Sequence, residues 1–335
     1  RILDEFPTSA SAYNALLSIQ DILGIQEKAD EFAPILAKYK ESNPDGQDLK
    51  EVEFRNAESL YNAQKYTQAI SALNTFIQQH PDHPSVSEAQ YALADCYFRT
   101  KDYAKAKGLY LDILSLKNQY YKKSLQRTAD ISYLQNDIPN SIKYYSELQL
   151  LASSNKEKTA SWLGLMTAYY DSGQLDSCNI YADKIIGHGS AAPDAENKAL
   201  LYKGKTAYLK KDLDGAQDYF LSCLNGAKDI SAAESQYMLA KIQYDKKQYK
   251  QSLETLYDFN NTFYTYDLWL GKSFLLIAEN FVAKDEIFQA KEILNSIITK
   301  SPNADIKKQA QTRLDQLNAI DAPKNKTKEG ESNDQ

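Results

Sequence analysis

WLGLMTAYYDSGQLDSCNIYADKII, residues 162–186, sets two apolar stretches on either side of a short polar turn. The turn closes with QLDSC (174–178), in which an apolar residue, Leu175, is followed three positions later by a small one, Cys178. The same phrase recurs as KYTQA (65–69), DYAKA (102–106), DIPNS (137–141), DLDGA (212–216), QYKQS (248–252) and EIFQA (286–290), with a weaker copy, IQEKA, ending at Ala29. The small residues Ala29, Ala69, Ala106, Ser141, Cys178, Ala216, Ser252 and Ala290 stand 40, 37, 35, 37, 38, 36 and 38 residues apart. Self-similarity at that period marks a helix–turn–helix repeat, with loops slightly longer than the tightest arrays use.

The register holds on both sides of the small residue. Seven positions after it comes an apolar residue in every copy: Leu36, Phe76, Ile113, Leu148, Ile185, Cys223, Phe259 and Ile297. Twelve positions before it stands a second small residue, Ala57, Ala94, Ala129, Gly204, Ala240 and Ala278, with Leu17 and Met166 as exceptions. Two helices approach closely only where neither is bulky, so small facing small predicts an antiparallel hairpin with a tight crossing. The pattern places hairpins near 9–42, 50–79, 85–116, 120–152, 156–187, 193–226, 229–263 and 266–300, and an amphipathic closing helix at about 304–318. A closing helix with a polar outer face is what such an array needs. Residues 319–335 hold no aromatic side chain and are expected to be disordered, and GHGSAAP (187–193) is the nearest thing to an internal break. The chain opens on Arg1, and RILDEFP (1–7) reads as the end of a helix running into a proline stop, so 1–318 is expected to be an array cut within a repeat.

WLGLMTAYYDSGQLDS (162–177) resembles the tetratricopeptide pattern W-x2-L-G-x2-Y, with Trp162, Leu165 and Tyr169 in place and Met166 where Gly is usual. HPDHPSVSEAQYALADCYFRTKDYAKA (80–106) resembles more specifically the repeats of bacterial envelope proteins of the Tol-Pal coordinator and outer-membrane assembly lipoprotein type, which often open with Pro-Asp-x-Pro. The proline that usually closes each repeat stands clearly only at Pro81 and Pro302. The resemblance implies an all-α, right-handed superhelical solenoid whose first helices line a concave groove, with repeat positions 2, 5, 9 and 12 facing inward. On that frame position 12 reads Tyr61, Phe98, Tyr133, Tyr170, Tyr208, Tyr244 and Val282, and position 5 reads Phe54, Tyr91, Gln126, Leu163, Leu201, Tyr237 and Leu275. The aromatic members of these rows are the candidate partner-binding residues, the alternative being that their rings are spent on packing between repeats. Positions 2 and 9 carry Glu51, Glu58, Glu88 and Asp95 early and Lys198, Lys205, Lys241 and Lys272 late, with Glu234 and Glu279 as exceptions. Such a groove is polarised, or else its charges are only a solvated face.

Composition narrows the function. The net charge is −6 and no basic cluster stands out, which argues against a nucleic-acid partner. No apolar run is long enough to span a bilayer. His80, His83 and His188 show no ligand set beside them, and Cys96, Cys178 and Cys223 fall where small core residues belong. No phosphate loop, nucleophile elbow or dinucleotide fingerprint is present, so no catalytic, cofactor or metal residue is assigned. The expected function is a scaffold holding a protein or peptide partner, in the periplasm or at the outer membrane as the resemblance implies, with any signal or lipid anchor ahead of Arg1. The alternatives are a cytoplasmic setting and a docking region of a larger enzyme.

Overall fold

The computed structural model describes residues 1–44, 49–188, 193–226 and 228–329, with Pro193, Gly226 and 321–329 described by backbone alone. The described residues form α-helices with no strand: α1 (Ile2–Glu5), α2 (Ala10–Ile25), α3 (Phe32–Ser42), α4 (Leu49–Asn62), α5 (Tyr66–Gln79), α6 (Val86–Arg99), α7 (Tyr103–Leu116), α8 (Tyr121–Leu134) and α9 (Ile138–Leu150). There follow α10 (Asn155–Asp171), α11 (Leu175–Gly187), α12 (Pro193–Leu209), α13 (Leu213–Gly226), α14 (Ile230–Asp245), α15 (Tyr249–Thr262), α16 (Asp267–Ala283), α17 (Ile287–Lys300) and α18 (Ala304–Glu329). The eight hairpins expected from the repeat phrase are all present, each even-numbered helix from α2 to α16 packing on the one that follows. The chain falls into two compact units, Arg1–Ala152 and Ser153–Gln335.

Every hairpin turns in the same way. The residues Glu27, Gln64, Lys101, Asn136, Gly173, Lys211, Lys247 and Asp285 all take a left-handed backbone, with φ between 59° and 75°. In each turn two amides reach back to the helix just ended, as with Gln64 N–H to Tyr61 O (3.0 Å) and Lys65 N–H to Leu60 O (2.9 Å). This is a Schellman closure, which satisfies carbonyls that a helix C-terminus would leave bare. The second helix then starts at the apolar residue of the repeat phrase. Asp102 and Asp137 cap two of these starts through their carboxylates, and Ser154 with Glu157 forms a capping box ahead of α10.

The small residues do what their spacing predicts. Ala29, Ala69, Ala106, Ser141, Cys178, Ala216, Ser252 and Ala290 are all buried, and the apolar residue seven further on is buried in every copy. The Ser252 hydroxyl donates to Ala240 O at 2.8 Å, which places the two small positions of that hairpin in direct contact. A Cβ on Gly204 would stand 2.5 Å from Cε1 of Phe220, so glycine is required by a ring and not by the backbone. The exception at Met166 has a local explanation: where other hairpins put Leu73, Tyr110 or Phe220 four residues after the small position, this one puts Ala182, and Met166 and Ala182 share one buried cluster. Volume has moved from one helix to the other.

Two details depart from the sequence pattern. The weak copy IQEKA yields a 3-10 turn over Ala29–Glu31 before α3, which begins two residues ahead of Pro34, where a first helical turn tolerates proline. The last helix runs to Glu329, past the end near 318 that the apolar pattern marks. Residues 330–335, and 189–192 of the expected break, lie outside the described residues.

Candidate functional site

Within each unit the first helices of successive hairpins touch one another, α2 on α4 on α6 in the first and α10 through α18, even-numbered, in the second. Their shared face opens as cavities. One of about 900 Å³ in the first unit is lined by residues of α2 and α4, Gln20, Asp21, Arg55 and Glu58 among them. One of about 530 Å³ in the second is lined by Glu234, Tyr237 and Lys241 of α14, Trp269, Lys272, Leu275 and Glu279 of α16, and Arg313 of α18.

The candidate aromatic residues lie on these first helices, and none is fully exposed. Phe54 is 6% exposed and packs on Phe76, 5.3 Å between centroids. Tyr91 stacks on Tyr120 at 5.0 Å and 16° and meets Tyr110 at 6.0 Å. Position 12 has a distinct task. Tyr61, Phe98 and Tyr244 each pack on the aromatic residue five positions later, Tyr66, Tyr103 and Tyr249, at 6.4, 5.7 and 5.6 Å and the same tilt of 58°. Each ring thus clasps its own turn, joining the last turn of one helix to the first residue of the next. The hydroxyls of Tyr61 and Tyr208 also reach the following hairpin, donating to Asp95 at 3.0 Å and Asp245 at 2.6 Å. Tyr170 meets Tyr202 edge-on at 5.0 Å and Tyr237 meets Trp269 at 5.4 Å. Tyr133 is half-buried at the end of α8. These contacts set the rings against their own or neighbouring hairpins; the second unit's cavity presents Tyr237 and Trp269 beside its charges, and the first unit's cavity is lined without a ring. The signal was in the sequence: a bulky residue recurs five places after position 12.

The charges divide by their partners. Asp95 is 2% exposed and accepts from Tyr61 OH, from Arg99 Nε at 3.1 Å and from Tyr110 OH at 3.4 Å, with Arg127 Nε at 3.3 Å. The Arg127 guanidinium also lies over the Phe98 ring, 4.5 Å from its centroid. Asp95 is therefore an internal tie between α4, α6, α7 and α8, and no part of an acidic surface. Burial, reinforced by Glu88, lifts the Glu58 carboxyl above its usual range, and Glu51 stands 3.8 Å from His83. His80 pairs with Glu53 at 2.5 Å, and both imidazoles pack on Phe76. Among the described residues no group of three His, Cys, Asp or Glu is placed to hold a metal. The three cysteines are free and buried, and burial pushes the Cys96 and Cys178 thiols up to about 12.

In the second unit Lys205 pairs with Glu234 at 2.8 Å, Lys241 with Asp245 at 2.8 Å, and Arg313 grips both Glu279 oxygens at 2.7 and 2.8 Å. Lys205 also sits over Tyr170 and Tyr202, and Lys272 over Trp269 at 4.0 Å.

Residues 54–120 match the tetratricopeptide repeat family model. Among solved structures the chain is similar to a tetratricopeptide repeat protein from Parabacteroides merdae, at TM-score 0.60 and 13% identity over 81% of this chain and 99% of that one. It is also similar to the C-terminal part of a tetratricopeptide repeat-containing protein from Cytophaga hutchinsonii, at 0.55 and 16% over 76% and 98%. A third likeness is to the APC/C hetero-tetramer Cut9-Hcn1, at 0.53 and 16% over 90% and 55%. No curated protein matches the chain. Residues 54–120 therefore carry the tetratricopeptide repeat, and the same hairpin and the same turn recur on either side of them.

Proposed function

We propose that the chain is a protein-interaction scaffold that holds a segment of a partner on the faces made by its first helices. The observation that carries this reading is the pair of open cavities, one between α2 and α4 lined with charged and polar residues, the other across α14, α16 and α18, where charges stand beside Tyr237 and Trp269. A face built from repeated helices suits an extended or helical segment better than a small substrate. The Cut9-Hcn1 structure, a likeness in fold, is itself an assembly of a protein of this architecture with a partner. The setting we propose is the bacterial cell envelope, on the strength of the HPDHPSVSEAQYALADCYFRTKDYAKA repeat.

A photo-crosslinking amino acid placed at Lys241, on the second unit's cavity, or at Phe288, exposed on a second helix, tests the face. Partner crosslinks are expected from position 241 and not from 288. The reverse would move recognition to the second helices. Fractionation of the native cells tests the setting, and recovery with the cytosol alone would overturn it.

A further inference from the structure

The charges of the second unit's inner face do not balance. Along α12, α14, α16 and α18 the face carries Lys198, Lys205, Glu234, Lys241, Lys272, Glu279 and Arg313. Lys205, Lys241 and Arg313 each have a carboxylate partner. Lys198 and Lys272 have no ion-pair partner among the described residues, although both side chains are half-buried. Burial, with Lys205 nearby, holds both ammonium groups below the usual lysine range, against the more distant pull of Glu234 on both and of Asp171 on Lys198. Lys272 finds partial compensation on the Trp269 ring. An ammonium kept half out of water without a carboxylate in contact carries a cost that an arriving carboxylate reduces. Between the charges, Tyr237, Met238, Leu275 and Leu276 give the cavity an apolar floor.

We infer that this face receives an acidic segment of a partner protein, whose carboxylates sit against Lys198 and Lys272 and whose intervening side chains lie on Tyr237 and Leu275. The inference rests on the scaffold reading and names the chemistry of the partner. Charge complementarity selects the class. Glu234 and Glu279 stand in the same walls, which repels a polymer carrying a phosphate at every step, whereas a peptide places its carboxylates singly.

The test is a selection of random twelve-residue peptides on the full chain, followed by fluorescence anisotropy of the recovered peptides. Variants are Lys198→Gln with Lys272→Gln, which keep the stems and remove the charge, and Leu275→Trp, which fills the cavity without changing its charge. Circular dichroism checks the fold of each. The expected result is an enrichment of Asp and Glu, with affinity lowered about tenfold or more by the double Lys variant and falling as salt rises. Peptides without acidic excess, or indifferent to the double variant, overturn the inference. If Leu275→Trp still abolishes their binding, the groove reading survives. Peptides indifferent to both variants, or none recovered at all, count against both readings. Displacement of a bound acidic peptide by a single-stranded oligonucleotide would assign the lysines to phosphate instead.

Discussion

The two units put the charges of their first helices to opposite ends. In the first, the acid at position 9 of its hairpin, Asp95, is consumed by the fold: two arginines and two tyrosine hydroxyls close around it. In the second, Lys198 and Lys272 at position 2 make no ion pair among the described residues. A charged residue in a repeat is thus no guide to its role until its partners in the next repeat are known. Asp95 draws on Arg127, one hairpin further along, whereas Glu279, the carboxylate on the same helix as Lys272, is already taken by Arg313 of α18.

The contrast breaks most visibly at Asp95. Asp95→Ala leaves Arg127 and two tyrosine hydroxyls without their acceptor, and removing one partner of a buried ion pair costs about 3–5 kcal/mol. Lys272→Gln is expected to change stability by less than about 0.5 kcal/mol, because no ion pair is lost. Chemical unfolding followed by circular dichroism measures both. Trp162 and Trp269, the only tryptophans, both lie in the second unit, so their fluorescence should report a smaller shift for Asp95→Ala than dichroism does. Equal costs at the two positions would erase the distinction between a consumed and a spare charge.

Packing gives the next largest effect. Ala94 in the first unit corresponds to Gly204 in the second, where the Phe220 ring fills the space a methyl would need. Gly204→Ala should destabilise by about 1–3 kcal/mol through overpacking, although alanine is worth about 1 kcal/mol more than glycine in an open helix. Phe220→Leu in the same chain should recover part of the loss. A double-mutant cycle with no coupling would mean that the ring moves aside freely.

Turn chemistry comes third. The first unit places Glu27, Gln64, Lys101 and Asn136 at the left-handed position, and the second unit alone uses a glycine there, Gly173 at φ 75°. Gly173→Ala should cost about 1 kcal/mol and Lys101→Gly should gain up to about that much, since a Cβ is disfavoured in this region. Shifts of the thermal midpoint in opposite directions are the expected readout. A loss from Lys101→Gly would show that freedom gained by the unfolded chain outweighs the strain relieved.

These positions show what the sequence makes legible. Hairpin limits were readable because a small residue recurs at fixed distance from an apolar one, and that spacing is local. The turn clasp was equally local, Tyr61 with Tyr66 and Phe98 with Tyr103, but a row of aromatics twelve places apart reads first as a binding surface. Asp95 was not legible, because its burial depends on Arg127, whose approach is set by how two hairpins pack. The compensation of Met166 by Ala182 was hidden for the same reason.

The smallest effect concerns the carboxylate beside that network. Burial lifts the Asp130 carboxyl above its ordinary value of 3.8, while the Tyr145 hydroxyl, donating at 2.6 Å, and Arg127, at 3.7 Å, pull it back. The folded chain therefore binds this proton more tightly than the unfolded chain. The stability it contributes is full below pH 3.8 and is lost as pH rises through the raised folded value. Asp130→Asn keeps an acceptor for Tyr145 and does not titrate, so its stability relative to the wild type should rise across that window and then level off. Losing the Arg127 contact adds an offset once the wild-type carboxylate is ionised, but it does not reverse the direction in which burial drives the change. Midpoints compared at closely spaced pH values give the answer. A difference that stays constant, or that falls with pH, would mean that Arg127 and Tyr145 outweigh burial, and Asp130 would then join Asp95 as a carboxylate the first unit has fully consumed.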